Sequence, residues 1–160
     1  MTCEVCGFLA QADAGDDPFA IARLRTGYVK LLPTQYHRGY TLFTAKRCVR
    51  EIYDLPSVER PVHLHEMAEV VHAVARAFQP RKMNYEALGN AGAHLHWHVI
   101  PRHDDDPHPR GPVWEDLAFL RQLWCSEGVP DAPERDARRR ALLHELRAAD
   151  VEIEHEFIDG

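Results

Sequence analysis

His94-Leu95-His96-Trp97-His98-Val99-Ile100 alternates imidazoles with apolar side chains. A strand sends successive side chains to opposite faces. The run therefore predicts a β-strand from His94 to Ile100, with three imidazoles on one face and Leu95, Trp97 and Val99 turned into a core. Imidazole titrates near neutrality, so such a row can supply a nucleophile, a proton donor and hydrogen bonds to phosphate oxygens. Two other arrangements use the same residues: three histidines on the polar side of a half-exposed strand, and a three-histidine metal site. The strict alternation, the Ile100-Pro101-Arg102 that follows and the glycine-bearing connection before it favour catalysis.

Working outward, Lys82 to Leu88 reads as a partner strand, joined to the histidine strand by a tight hairpin at Gly89-Asn90-Ala91-Gly92. Phe19 to Leu24 and Gly27 to Leu32 read as two strands around an Arg25-Thr26-Gly27 turn, and Gly39 to Thr44 as a third. From Ser57 to Phe78, Val58, Val62, Met67, Val70, Val71, Val74 and Phe78 recur mostly at spacings of three and four, which predicts the main amphipathic helix. Ser57 is its candidate N-cap, Pro61 marks an alternative start, and Pro80 ends it. His63, His65 and His72 are placed on its solvated face, because no pair among them has metal-binding spacing. Asp13 to Pro18 is a turn-rich separator, Asp104 to Pro112 a loop, and Asp104-Asp105-Asp106 a solvated turn without a catalytic metal. A helix from Trp114 to Trp124 and a charged helix from Pro133 to Ala149 follow. Val151 to Gly160 is left open between an edge strand and a loose tail. The pattern is that of one α+β domain.

Length and composition agree. At 160 residues and 45% hydrophobic content, the chain suffices for one core and is short for two domains. The formal charge of −6 argues against a nucleic-acid polymer as partner, since that binding rests on clustered Lys and Arg. The basic cluster Arg138-Arg139-Arg140 falls inside a surface helix. There is no stretch of eighteen apolar residues and no secretory pattern after Met1, so a soluble, cytoplasmic protein is expected.

The run His94 to Ile100, continued by Pro101-Arg102, resembles the signature of the histidine triad (HIT) family: His-x-His-x-His and two apolar residues, with x apolar. The likeness extends in order of elements from about Gly27 to Arg102. Asp104-Asp105-Asp106-Pro107 and Gly111-Pro112-Val113-Trp114 look like a bacterial subgroup related to diadenosine polyphosphate hydrolases. The resemblance implies a five-stranded antiparallel sheet with helical cover and a homodimer; residues 1–112 are expected to form that domain with its N-terminal zinc-binding segment, and the helices read over 113–160 a C-terminal extension packed on it. It implies cleavage at a nucleoside α-phosphate through a nucleotidyl-histidine. His96 would be the nucleophile, oriented by a neighbouring backbone carbonyl, and His98 the phosphate and leaving-group donor. Gln35, Asn84 and Asn90 fall near substrate-contacting positions. Where many members carry Gly-His, this chain has Gly39-Tyr40.

Cys3-Glu4-Val5-Cys6 has a spacing that allows two thiolates on one metal. Some histidine triad proteins complete such a site with the first His of the triad and a His after the third strand, where Cys48 stands here. A closed structural zinc site of Cys3, Cys6, Cys48 and His94 is therefore expected, against unliganded N-terminal cysteines and a buried Cys48. Cys125 is read as a buried thiol, and Trp114 as either a base-stacking or a packing aromatic. The rival functions are a catalytically idle, zinc-stabilised nucleotide-binding dimer that regulates a partner, and a structural zinc module.

Overall fold

Ten helices and strands, besides two short 3-10 turns, make up the regular structure of the computed structural model, which describes residues 3–125 and 127–158. In chain order they are helix α1 (Glu4–Asp13), strands β1 (Ala20–Leu24), β2 (Gly27–Leu31) and β3 (Thr41–Ala45), and helix α2 (Arg60–Phe78). Strands β4 (Lys82–Glu86) and β5 (His96–Arg102), helices α3 (Leu117–Cys125) and α4 (Ala132–Arg147), and strand β6 (Ile153–Glu156) complete them. The expectation for the Cys125 thiol lies outside the described side chains.

The six strands form one antiparallel sheet in the order β4-β5-β3-β2-β1-β6. The α+β class stands. The sheet has one strand more than expected, because Ile153–Glu156 pairs with Ala22, Arg23 and Leu24 at the β1 edge. Arg139 clamps this edge from α4: its buried guanidinium donates to the carbonyls of Ala20 and Phe157. One face of the sheet carries Ile21, Leu24, Val29, Leu31, Phe43 and Val99 against Val70 and Val74 of α2 and Leu142 and Leu146 of α4. Removing these branched and aromatic side chains from water drives the packing.

Among the described residues, two separate clusters cover the opposite face. Leu9 and Ala12 of α1 pack on Ala20 and Tyr28, while Phe119 of α3 packs on Tyr40 and Ile100. A stretch of sheet bearing the β5 histidines lies between these covers. The turn into β3 depends on Gly39, whose φ of +87° suits glycine and whose Cβ position would lie 2.4 Å from the Phe78 ring.

Several expectations need correction. The main helix begins at Arg60, with Pro61 in its first turn, as the alternative start had it. The segment expected as a helix from Trp114 is a 3-10 turn, Val113–Glu115, followed by α3. The β4–β5 connection is a longer loop than the tight hairpin predicted. His63 is not on a solvated helix face. It is fully buried, accepting the Trp97 indole N–H at Nε2 (3.1 Å) and donating from Nδ1 to the Thr26 hydroxyl (3.0 Å), which in turn donates to the Glu66 carboxylate. His65 and His72 are outward, as expected. Asp106 is likewise withdrawn from the solvated turn: its carboxylate holds the buried Arg102 and the His103 backbone, whereas Asp104 and Asp105 stay exposed.

Candidate active site

Strand β5 starts at His96, not at His94. The residues before it are drawn aside, with Leu95 donating to the Val49 carbonyl and its own carbonyl accepting from Ala45 where β3 ends. Only His96 and His98 therefore share the strand face. Their neighbours across the β3–β5 pairing are Thr44 and Leu42.

The protons in this pair can be placed by exhaustion. His96 Nδ1 lies 2.6 Å from the His94 carbonyl, an acceptor only, so Nδ1 carries a proton, and in the neutral ring Nε2 presents its lone pair. That lone pair faces His98 Nε2 at 3.1 Å, which must then be the donor. His98 Nδ1 is left as an acceptor and takes the Tyr40 hydroxyl proton at 2.6 Å. Tyr40 is fully buried, and burial raises its pKa well above the usual tyrosine range, so it stays protonated. Burial, with His96 as a lesser cause, lowers His98 to about 4, so His98 is neutral at pH 7.

The two imidazoles open into a cavity of about 420 Å³. Val5, Phe8 and Leu9 of α1, Leu32, Pro33 and Leu42 give it an apolar wall, and Lys30 and Asp17 form an ion pair at its border. Its size and mostly apolar lining with a few convergent polar groups suit a small-molecule pocket. Sequence reading missed the α1 wall, although Val5, Phe8, Leu9 and Ala12 have helical spacing.

The other expected substrate residues are not assembled there. Gln35 is buried, its amide donating to the carbonyls of Leu32 and Tyr40 and accepting from the Gly39 backbone, so it braces the turn into β3 rather than facing the cavity. Asn84 pairs with Ile100 across β4 and β5 and accepts from Arg102. Asn90 lies in the loop whose Ala91 and Gly92 border the cavity. Trp114 is partly exposed and donates to Glu86.

His94 serves a separate cluster. Its Nε2 donates to the Ala45 carbonyl at 2.7 Å, leaving a bare Nδ1 that lies 3.4 Å from Cys3 Sγ and 3.7 Å from Cys6 Sγ. Ligand atoms of Cys3, Cys6, Cys48 and His94 all fall within 4.8 Å of one another. Zinc bonds of about 2.3 Å to sulfur and about 2.0 Å to nitrogen give a tetrahedral S···N edge of roughly 3.5 Å, so the donor set fits that ion in type, number and spacing. Cys48 is exposed rather than buried, against the alternative reading of it. The Cys6 backbone amide is the main cause holding the Cys3 thiol down near 6, while burial, reinforced by the neighbouring thiols, pushes Cys6 up to about 12.

Residues 34–105 match the family model for the HIT domain. Among solved structures, a histidine triad protein of Marinobacter aquaeolei is 26% identical with a TM-score of 0.67, covering 81% of this chain and 88% of its own. One from Bradyrhizobium japonicum is also 26% identical, with a TM-score of 0.68, and covers 79% and 89%. A zinc-bound histidine triad family protein of Mycobacterium smegmatis shares the fold at 24% identity and a TM-score of 0.57, covering 92% and 95%. No curated protein matches the chain.

Proposed function

From a chain that carries a HIT domain, we propose a nucleotidyl hydrolase or transferase that cleaves at the α-phosphate of a dinucleoside polyphosphate or nucleoside phosphoramidate. The observation that carries this reading is the unprotonated Nε2 of His96, set by the 2.6 Å bond from its Nδ1 to the His94 carbonyl and accepting from His98 Nε2 at 3.1 Å where both rings line the cavity.

With the nucleoside against the apolar α1 wall and phosphorus at His96, the Nε2 lone pair attacks and the bond to the leaving group breaks. The His98 Nε2–H donates to phosphate oxygen as charge develops and passes its proton to the departing group, which leaves with the bonding pair. Water or another acceptor then attacks phosphorus and returns a proton to His98 Nε2, the P–N bond breaks, and His96 regains its lone pair. The His94 carbonyl stabilises the cationic ring of the intermediate.

The same reading assigns Cys3, Cys6, Cys48 and His94 to a structural zinc. Four protein ligands close the coordination sphere, so the ion's contribution is to fix geometry. His94 links the two sites, with its side chain in the metal set and its carbonyl on the nucleophile. The reading extends to a homodimer and to residues 113–160 as an extension of one domain. It makes the protein cytoplasmic, and the absence of a helix long and apolar enough to cross a membrane among the described residues is compatible with that.

Turnover of adenosine phosphoramidate and diadenosine polyphosphates, followed by phosphorus NMR, tests the proposal. Release of nucleoside monophosphate by the wild type, lost in His96→Ala, is expected. Binding of the same nucleotides without turnover by the wild type would instead favour a regulatory binding module.

A further inference from the structure

We propose that Tyr40 is a positioning residue: its hydroxyl holds the His98 proton on Nε2 while substrate occupies the site. This rests on the function proposed above and adds a residue to its machinery.

In the free protein two constraints place that proton. One is the His96 Nε2 lone pair at 3.1 Å, which requires a donor opposite it. The other is Tyr40 at Nδ1, 2.6 Å away. The first constraint exists only while the two imidazoles face each other. Once phosphorus lies at His96, its Nε2 is committed to the P–N bond and no longer faces His98 as an acceptor. Among the described residues, Tyr40 is then the remaining hydrogen-bond partner that distinguishes the two nitrogens of His98.

A hydroxyl can also accept, so its direction must be argued. Tyr40 is fully buried, and His98 Nδ1 is its hydroxyl's sole hydrogen-bond partner among the described residues. Were the hydroxyl to accept from Nδ1–H, its own proton would be buried without a partner, a costly arrangement. The ring cannot easily turn to find one. It is packed between Phe119, at a centroid distance of 6.1 Å, and His98, at 5.8 Å, in the cluster with Ile100 and Val113. The turn supporting it is braced by Gln35, whose amide reaches both the Tyr40 carbonyl and the Gly39 backbone. A donor thus enforced keeps Nδ1 as an acceptor, and His98 meets the phosphate oxygens with Nε2–H.

The decisive test removes the first constraint and reads the second. Nitrogen-15 NMR of His98 is recorded in His96→Ala and in His96→Ala/Tyr40→Phe, both in the unliganded protein. The proposal expects a single Nε2–H tautomer in the first, with Nδ1 shifted as a hydrogen-bond acceptor. In the second it expects shifts averaged between the two tautomers. Identical Nε2–H signatures in both, or an Nδ1–H tautomer while Tyr40 is present, would overturn it.

A kinetic arm uses Tyr40→Phe alone, which keeps the ring that fills the Phe119 cluster. Deleting a direct oxyanion donor costs roughly 100-fold, so a loss one residue removed is expected to be about 10-fold in kcat with KM little changed. Tyr40→His, which restores a donor, should recover much of it. An unchanged kcat in Tyr40→Phe would count against the proposal. If the wild type turns over no nucleotide, the proposed function fails, while the NMR comparison still decides the role of Tyr40.

Discussion

His63 is the buried group whose titration should be visible in stability. It has no solvent exposure, and both ring nitrogens are assigned: Nε2 accepts from Trp97 and Nδ1 donates to Thr26. Protonation would set a second N–H against the Trp97 N–H and place a charge in the core, so burial lowers its pKa from 6.5 to about 4. The unfolded chain therefore takes up this proton first as pH falls. The contribution of neutral His63 is fully present above pH 6.5 and is lost between there and pH 4. The full span is worth roughly 3 kcal/mol, of which about 2 kcal/mol disappears between pH 7.5 and pH 5.

The perturbation is His63→Gln, which cannot titrate but keeps an acceptor and donors. Urea unfolding of both proteins at pH 7.5 should show the variant less stable by about 1–3 kcal/mol, the cost of a disturbed buried hydrogen-bond chain. At pH 5 the deficit should shrink by about 2 kcal/mol, because the wild type alone loses the His63 contribution. Thiol and carboxylate titrations occur in both proteins and largely cancel. Parallel stability curves across this range, or a His63 ring signal titrating near 6.5, would refute the argument.

Three further outcomes follow from the same geometry. Gly39→Ala should destabilise by about 1–3 kcal/mol in thermal unfolding, since it forces a side chain at φ +87° and drives its Cβ into Phe78; an unchanged melting temperature would contradict this. Protein purified without chelator should contain one zinc per chain, and Cys48→Ser should lower both metal retention and melting temperature; no zinc in the wild type would remove the metal assignment. Gln35→Ala should lower stability through the Leu32–Tyr40 turn, and a rise in KM with no loss of stability would instead restore Gln35 to the substrate.

The central strands were legible because alternation of polar and apolar residues encodes the sheet face directly, as in His96 to Ile100. The triad run nevertheless overstated its start by two residues: His94 is diverted where the Leu95 backbone bonds to Ala45 and Val49, a tertiary event that periodicity does not carry. The cluster of Cys3, Cys6, Cys48 and His94 meets as expected; the spacing of Cys3 and Cys6 gave its first half, and only the family resemblance gave Cys48 and His94. Helix α1 was missed because it is short and has no side-chain cap, and its Leu9 and Ala12 gain their environment only on Ala20 and Tyr28. His63 shows a different failure. Its spacing to Met67, Val70 and Val74 places it on the buried stripe, but its residue type was weighed above its position. The edge strand at Ile153–Glu156 is too polar to announce itself and is specified by pairing with β1.

The covalent role of His96 is tested most directly by intact-protein mass spectrometry after brief mixing with adenosine phosphoramidate, in wild type, His96→Ala and His98→Ala. The account predicts an acid-labile adenylyl adduct in the wild type, localised to His96, longer-lived in His98→Ala and absent from His96→Ala. Turnover by the wild type with no adduct at any time, or an adduct that survives in His96→Ala, would contradict it.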